Sequence, residues 1–356
     1  MSQNPTPEST SPARPLVEVK DLRVVLPLVE GNLTASDGVS FTIAEGRTLG
    51  LVGESGCGKT ITAQSILKIA PRIARTTGQV LLHYPDRPPV DIVALGPQDP
   101  ELLSIRGGEC AMIFQEPMSS FSPVHTIGNQ LLETVYLHRT RDKAQAREIA
   151  IGTLQKVGIP DPAATLRKYP HHLSGGMRQR AMIAMALASQ PRLLIADEPT
   201  TALDVTVQAQ VLRLMRDLQR DAGMAILYIS HDLGVIARMA DDVAVMYMGS
   251  IVEQAAVRDL FRAPRHPYTR GLMASVPRIG KKSGEPLDSI PGNVPVPINK
   301  PVACGFFLRC PAAMAGTCDR AVPPLVEVAP GHRAACFLYP EVMAAAGLSQ
   351  GAAHVH

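Results

Sequence analysis

No uninterrupted apolar run in the 356 residues approaches the ~18 that crossing a bilayer requires. The stretch AMIAMALA at 181–188 fits a short buried helix at most. Charge of one sign is scarce as well. The 35 Lys and Arg against 32 Asp and Glu leave +3 at pH 7, too little to mark a nucleic-acid or membrane-surface binder. The opening residues 1–15, MSQNPTPESTSPARP, lack the apolar core of a signal peptide and are polar and proline-rich, the composition of a disordered tail. There is no internal repeat and no heptad run. Without an export signal the chain is expected in a reducing compartment, where its six cysteines serve as thiols or metal ligands rather than disulfides. These absences predict a soluble protein of one large or two ordinary domains, reaching a membrane only through a partner.

What is present has order. From Leu16, LVEVKDLRVVL and GVSFTIAEGRTLGLVG read as β-branched strands broken by glycine turns. Strands and helices then alternate to about residue 260. GQVLLHY predicts a strand, and TRDKAQAREIAIGTLQKVGI a charged amphipathic helix closed by glycine. RLLIADEP and AILYISHD are apolar runs ending in carboxylates or histidine, the habit of buried parallel strands whose C-terminal ends carry the chemistry. Beyond about 260, recurrent prolines and weak helical periodicity predict an irregular module over 261–356, which holds four of the six cysteines.

GESGCGKT at 53–60 fits G-x-x-x-x-G-K-[ST] with a strand before it and a helix after it. Its glycines, Gly53, Gly56 and Gly58, let the backbone curl until successive N–H groups face inward, and the helix N-terminus adds partial positive charge. Lys59 would reach the β and γ phosphates of a nucleotide, and Thr60 would offer its hydroxyl to Mg²⁺. Glu54, Ser55, Cys57 and Ile61 complete the expected nucleotide-binding stretch. Such a loop needs a metal-anchoring aspartate at the end of a neighbouring strand, and LLIADEP supplies Asp197. Glu198 follows, placed to act as general base on the attacking water, and His231 in YISHD would approach the same phosphate from another side. Standing alone, the acidic pair could equally cap a helix, and the histidine could be structural.

Between these elements, HLSGGMRQRAMIAMALASQPRLLIADEPTTALD at 172–204 resembles the signature region of ATP-binding-cassette ATPases. Gln115 in MIFQEP matches the Q-loop of that family and His231 its switch histidine, so the resemblance spans 16–260. It implies an α/β P-loop NTPase cassette, with a RecA-like core, an antiparallel β subdomain and an α-helical subdomain at about 117–185. It implies ATP and Mg²⁺ as cofactors, with Thr60, Gln115 and Asp197 around the metal. Ser174, Gly175 and Gly176 would bind the γ phosphate of ATP held by an opposite subunit, and Asp204 would fall in the D-loop between the two sites. One chain would then hold half of each site, and ATP would join two cassettes. Where many cassettes stack an aromatic on adenine, LRVVLPLVEGN offers Leu26, Pro27 and Leu28, so an apolar contact is expected there.

FQEPMSSFSPVHTIGNQL, HPYTRGLMASVP, IPGNVP and CGFFLRCP resemble the ATPase subunits of dipeptide and oligopeptide importers, and SILKIAPRIARTTGQVL matches the first, D-type, of the two unlike ATPases in such systems. The resemblance then covers about nine tenths of the chain. It implies two transmembrane permease subunits as partners, one coupling helix entering a groove at about Glu116–Ile127. It also implies a sister ATPase, a periplasmic or extracellular solute-binding protein, no nucleic acid, and a peripheral place on the cytoplasmic face of the plasma membrane. Relatives move peptides, nickel chelates or oligosaccharides. Cys304, Cys310, Cys318 and Cys336 are spaced C-x5-C-x7-C-x17-C, which matches neither zinc-finger nor ferredoxin runs. Spacing alone leaves structural thiols, zinc or an iron–sulfur centre open. An irregular module needs a staple, and by resemblance to importer ATPases the quartet would carry a 4Fe-4S cluster. The alternative from another class is a soluble cassette ATPase acting on nucleic acid or ribosomes, with the cysteine tail as a zinc module. A single cassette, no heptad run and a near-neutral charge weigh against it.

Overall fold

The computed structural model describes residues 14–115, 120–201, 204–275 and 290–348. The expected disordered tail falls almost wholly outside the described residues, as do positions 116–119 of the expected coupling groove. Two sheets form the frame. An antiparallel sheet has the order β2-β1-β4-β5, from β1 (Pro15–Leu28), β2 (Gly31–Ala44), β4 (Arg75–Leu82) and β5 (Val90–Asp91). The other sheet contains β3 (Thr48–Val52), β6 (Cys110–Ile113), β7 (Leu193–Asp197), β8 (Ala225–Ser230), β9 (Asp242–Tyr247), β10 (Ser250–Ala256), β11 (Val326–Ala329) and β12 (His332–Ala334). Its order is β11-β12-β10-β9-β3-β8-β7-β6, parallel from β9 through β6 and antiparallel beyond.

The parallel strands are apolar almost throughout because both their faces are covered. Every residue of TLGLV, LLIAD and AILYIS is buried. Alternation sorts them: Leu193, Ile195, Leu227 and Ile229 join Val17, Val19 and Val39 in the core shared with the antiparallel sheet. Leu194, Ala196, Ile226 and Tyr228 face the opposite core, built with the helices Ile127–His138, Lys143–Lys156 and Gly175–Leu187. Each fully buried Leu or Ile contributes roughly 1.5–3 kcal/mol. The charged helix read from the sequence is Lys143–Lys156: the Asp142 carboxylate accepts from Gln145 N–H at 2.7 Å at its start, and Gly158 turns the chain with φ +70° after its end.

The chain beyond 260 is stitched to both sheets. Glu253↔Ala334 and Gln254↔Arg333 pairing adds the β11–β12 hairpin to the main sheet. Pro297 O accepts from Thr34 N–H at 3.0 Å, and Asn299 N–H donates to Asn32 O at 2.9 Å, so this segment docks on the edge of β2. Lys300 Nζ donates to Asp37 Oδ2, Met248 O and Ser250 Oγ. The fully buried Glu253 carboxylate accepts from Arg265 N–H at 2.6 Å and His266 N–H at 2.8 Å and pairs with His332 Nε2 at 2.6 Å.

These polar staples take the place of the expected metal. The 4Fe-4S reading of Cys304, Cys310, Cys318 and Cys336, and with it the iron–sulfur-rich module, is corrected: among the described residues no group of three or more His, Cys, Asp or Glu side chains is placed to hold a metal ion. The physical reason is burial. Cys318 packs with Phe337 and Val342, Cys304 lies between that cluster and the main core, and Cys310 packs against the main core. Burial lifts the Cys304 thiol to about 11 and Cys336 to about 12, and raises Cys310 as well. Thiols held in this way act as small hydrophobes.

Candidate functional site

The phosphate loop leaves the end of β3 and enters the helix Lys59–Ile66. Gly53, Gly56 and Gly58 all have positive φ, at 156°, 81° and 103°. At two of them space is the tighter limit: a Cβ on Gly53 would strike Met246 O, and one on Gly58 would strike Ala35 O. Lys59 is buried, and its Nζ donates to Gly53 O at 2.8 Å and Glu54 O at 3.0 Å, so the lysine arches back over the loop it follows. Ser55 and Gly56 stand exposed at the lip. Cys57 is buried beneath, its thiol raised by burial against the pull of Lys59.

Asp197 ends β7, next to β8 and in the same sheet as β3. Burial raises its carboxyl, and a hydrogen bond from the Thr60 side chain and the charge of Lys59 oppose that rise. Its Oδ1 is buried without a hydrogen-bond partner. A buried carboxylate oxygen left unpaired beside a hydroxyl is the donor set a hard cation takes, so Asp197 and Thr60 fit Mg²⁺.

Glu198 is the point of convergence. Its backbone has φ +46°, a left-handed conformation that a non-glycine residue holds at a cost of about 1–3 kcal/mol. Its N–H donates to Ile229 O at 3.0 Å, pinning the turn to β8. Three side chains from separate places then meet its carboxylate: Gln115 Nε2, just beyond β6, at 3.1 Å; Thr201 Oγ1 at 3.1 Å; and His231 Nδ1, just beyond β8, at 3.1 Å. The carboxylate is 9% exposed and the histidine 54%, so the pair is buried at its base and open at its mouth.

Ser174 caps the helix Gly175–Leu187, its hydroxyl accepting from Met177 N–H at 3.3 Å. Asp204 caps the helix Val205–Ala222 by accepting from Thr206 and Val207 N–H, each at 3.0 Å. The two helix starts are close, since a Cβ on Gly176 would lie 3.2 Å from Val207 Cγ1. Gln179 Nε2 also donates to Pro199 O, tying the signature helix to the turn that carries Glu198. Ser174, Gly175 and Gly176 make no hydrogen bond to the phosphate loop among the described residues. Leu26 is buried in the core, whereas Leu28 is 39% exposed.

The sequence reading missed Thr201, Tyr268 and Arg309. Tyr268 OH accepts from Glu54 N–H at 2.9 Å, and Arg309 forks onto the Glu54 carboxylate at 2.8 and 3.1 Å. Only the fragments HPYTRGL and CGFFLRCP flagged the neighbourhood, and neither carries a spacing that ties it to a phosphate loop 200 residues and more away. A cleft of about 500 Å³ opens between Gly53, Glu54, Ser55 and His231 on one side and Leu272, Asn293 and Val294 on the other.

Comparison with known proteins agrees with this geometry. The ABC transporter family model matches residues 36–201, and the model for the oligopeptide/dipeptide transporter C-terminal region matches 252–318. The chain is 44% identical to the dipeptide transport ATP-binding protein DppD of Bacillus subtilis, over 91% of this chain and 94% of that one. It is also 44% identical to the oligopeptide transport ATP-binding protein OppD of Salmonella typhimurium, over 93% and 96%. The chain belongs to the ABC transporter ATPases. The dimeric, post-hydrolysis ATP-binding cassette MJ0796, bound to ADP and Pi, shares the fold, with a TM-score of 0.59 at 24% identity over 68% of this chain and 99% of that one. As an ABC ATPase subunit the protein is an enzyme that works with ATP and Mg²⁺. Its relatives are named for peptide transport, which favours the transporter reading over a soluble ATPase acting on nucleic acid. Among the described residues no helix is long and apolar enough to cross a membrane.

Proposed function

We propose that the protein hydrolyses MgATP to energise import of peptides or related solutes through a membrane permease. The observation that carries the reading is the convergence of Gln115, Thr201 and His231 on the Glu198 carboxylate beside the unpartnered Asp197 Oδ1. A metal bound there would neutralise phosphate charge. The chain's own groups do the rest. Gly53 to Ile61 cradle the phosphates, with Lys59 swinging from its loop carbonyls to the β and γ oxygens. Thr60, Asp197 and Gln115 would hold that metal. Glu198 takes the proton of the attacking water, with His231 and Gln115 fixing its orientation. The starts of the Ser174 and Asp204 helices lie together and make no hydrogen bond to this chain's own phosphate loop among the described residues, which supports a dimer in which Ser174, Gly175, Gly176 and Asp204 serve the ATP of a second cassette, a sister ATPase being the expected partner.

In this reading residues 16–260 form the nucleotide-binding domain, with its helical subdomain at about 117–185, and 261–356 the transporter-type C-terminal domain. The partners are two permease subunits and a solute-binding protein outside the membrane. The protein sits peripherally on the cytoplasmic face. Uptake of a labelled dipeptide in cells lacking this chain tests the proposal: uptake restored by the parent chain but not by Lys59→Ala supports it, and restoration by both overturns it.

A further inference from the structure

The mechanism above makes no use of the three hydrogen bonds that Glu54 forms with residues beyond 260. Glu54 is the second residue of the phosphate loop, yet both its N–H and its carboxylate are engaged from beyond residue 260, by Tyr268 OH at 2.9 Å and by the buried Arg309 guanidinium at 2.8 and 3.1 Å. Arg309 is itself fully committed. Its Nε donates to Pro291 O at 2.8 Å and its Nη2 to Gly292 O at 2.9 Å, and those residues lead into Asn293 and Val294, which wall the cleft over the loop and His231. Beneath, Tyr247, Tyr268 and Phe306 pack into one cluster of tilted and edge-on rings, with centroids 4.6 to 5.4 Å apart. The Glu54 hydrogen bonds raise the arginine further into its charged range.

A carboxylate beside a triphosphate site repels the ligand unless its charge is matched, and a bidentate arginine matches charge and fixes direction together. We propose that Arg309 is a positioning residue of the nucleotide site. Acting through Glu54, and helped by Tyr268, it sets the open shape of the phosphate loop and holds the 291–294 wall across it, so that the C-terminal region is part of the ATP site within one chain. The inference rests on the reading of this loop as the ATP site.

The experiment uses the full chain and measures Kd for a fluorescent ATP analogue, kcat and KM for ATP, and Tm. Arg309→Met and Glu54→Gln are each expected to weaken binding about tenfold, the size seen when a group that orients a ligand-contacting residue is removed. The double variant should be no worse than either single one, because both remove the same contact. Arg309→Lys keeps the charge without the fork and should recover only part of the loss. Lys300→Met removes another staple of the same region, one that touches β2 and β10 rather than the loop, and should lower Tm with Kd unchanged. If Arg309→Met misfolds, Glu54→Gln against Lys300→Met carries the test alone. Equal effects of Arg309→Met and Lys300→Met on Kd, or additive effects of Arg309→Met and Glu54→Gln, overturn the inference. Failure of the parent chain to bind the analogue overturns the ATP-site reading instead.

Discussion

Two buried carboxylates in this molecule each pair with a histidine, and they do opposite work. Glu253 is fully buried, lies 2.6 Å from His332 Nε2 and takes two backbone N–H groups besides. Glu198 lies 3.1 Å from a half-exposed His231, sits in a left-handed backbone conformation and borders an Asp197 oxygen that has no partner. The first is saturated and closed to solvent. The second is held by side chains that can swing away, next to an unmet demand for a cation. A histidine–carboxylate pair points to chemistry when it is open and incompletely satisfied, and to architecture when it is sealed and complete.

The comparison can be broken from the architectural side. Glu253→Ala leaves His332 and two N–H groups buried and unpaired, and is expected to cost about 3–5 kcal/mol of stability; urea unfolding measures it, and a loss under 1 kcal/mol would remove the distinction. A pH titration sharpens it. Burial lowers His266, beside Glu253, to about 4. Its folded value lies below the unfolded ~6.5, so the unfolded chain binds more protons in between, and stability falls as pH drops from about 6.5 to about 4, by on the order of 3 kcal/mol. His266→Asn should flatten that slope. Glu253 itself has a lowered carboxyl because its hydrogen bonds outweigh burial, so its contribution stays in place above 4.5 and is lost on acidifying further. The smallest effect is expected at the thiols: Cys336→Ala should cost about 1 kcal/mol through lost packing and leave ATP turnover unchanged.

Where sequence and fold agree, local context is the reason. GESGCGKT could be read because a buried strand must precede it and a helix must follow, and LLIADEP because its apolar run forces Asp197 and Glu198 to a strand end. The cysteine quartet misled because its spacing came with no such context; a pattern of thiols says nothing of whether burial keeps them as packed, protonated side chains or leaves them placed to hold a metal. Arg309 and Tyr268 were illegible for a third reason. Their partner, Glu54, falls on an unspecified position of G-x-x-x-x-G-K-[ST], more than 200 residues distant, and only the folded chain shows that the region beyond 260 returns to grip it.

The most direct test of the central claim is single-turnover ATP hydrolysis by Glu198→Gln, with ATP affinity measured alongside. The account predicts a fall in turnover of about a thousandfold with binding kept, as expected for a lost general base. Hydrolysis at the parent rate would contradict it, and Glu198 would then be no more than a second Glu253.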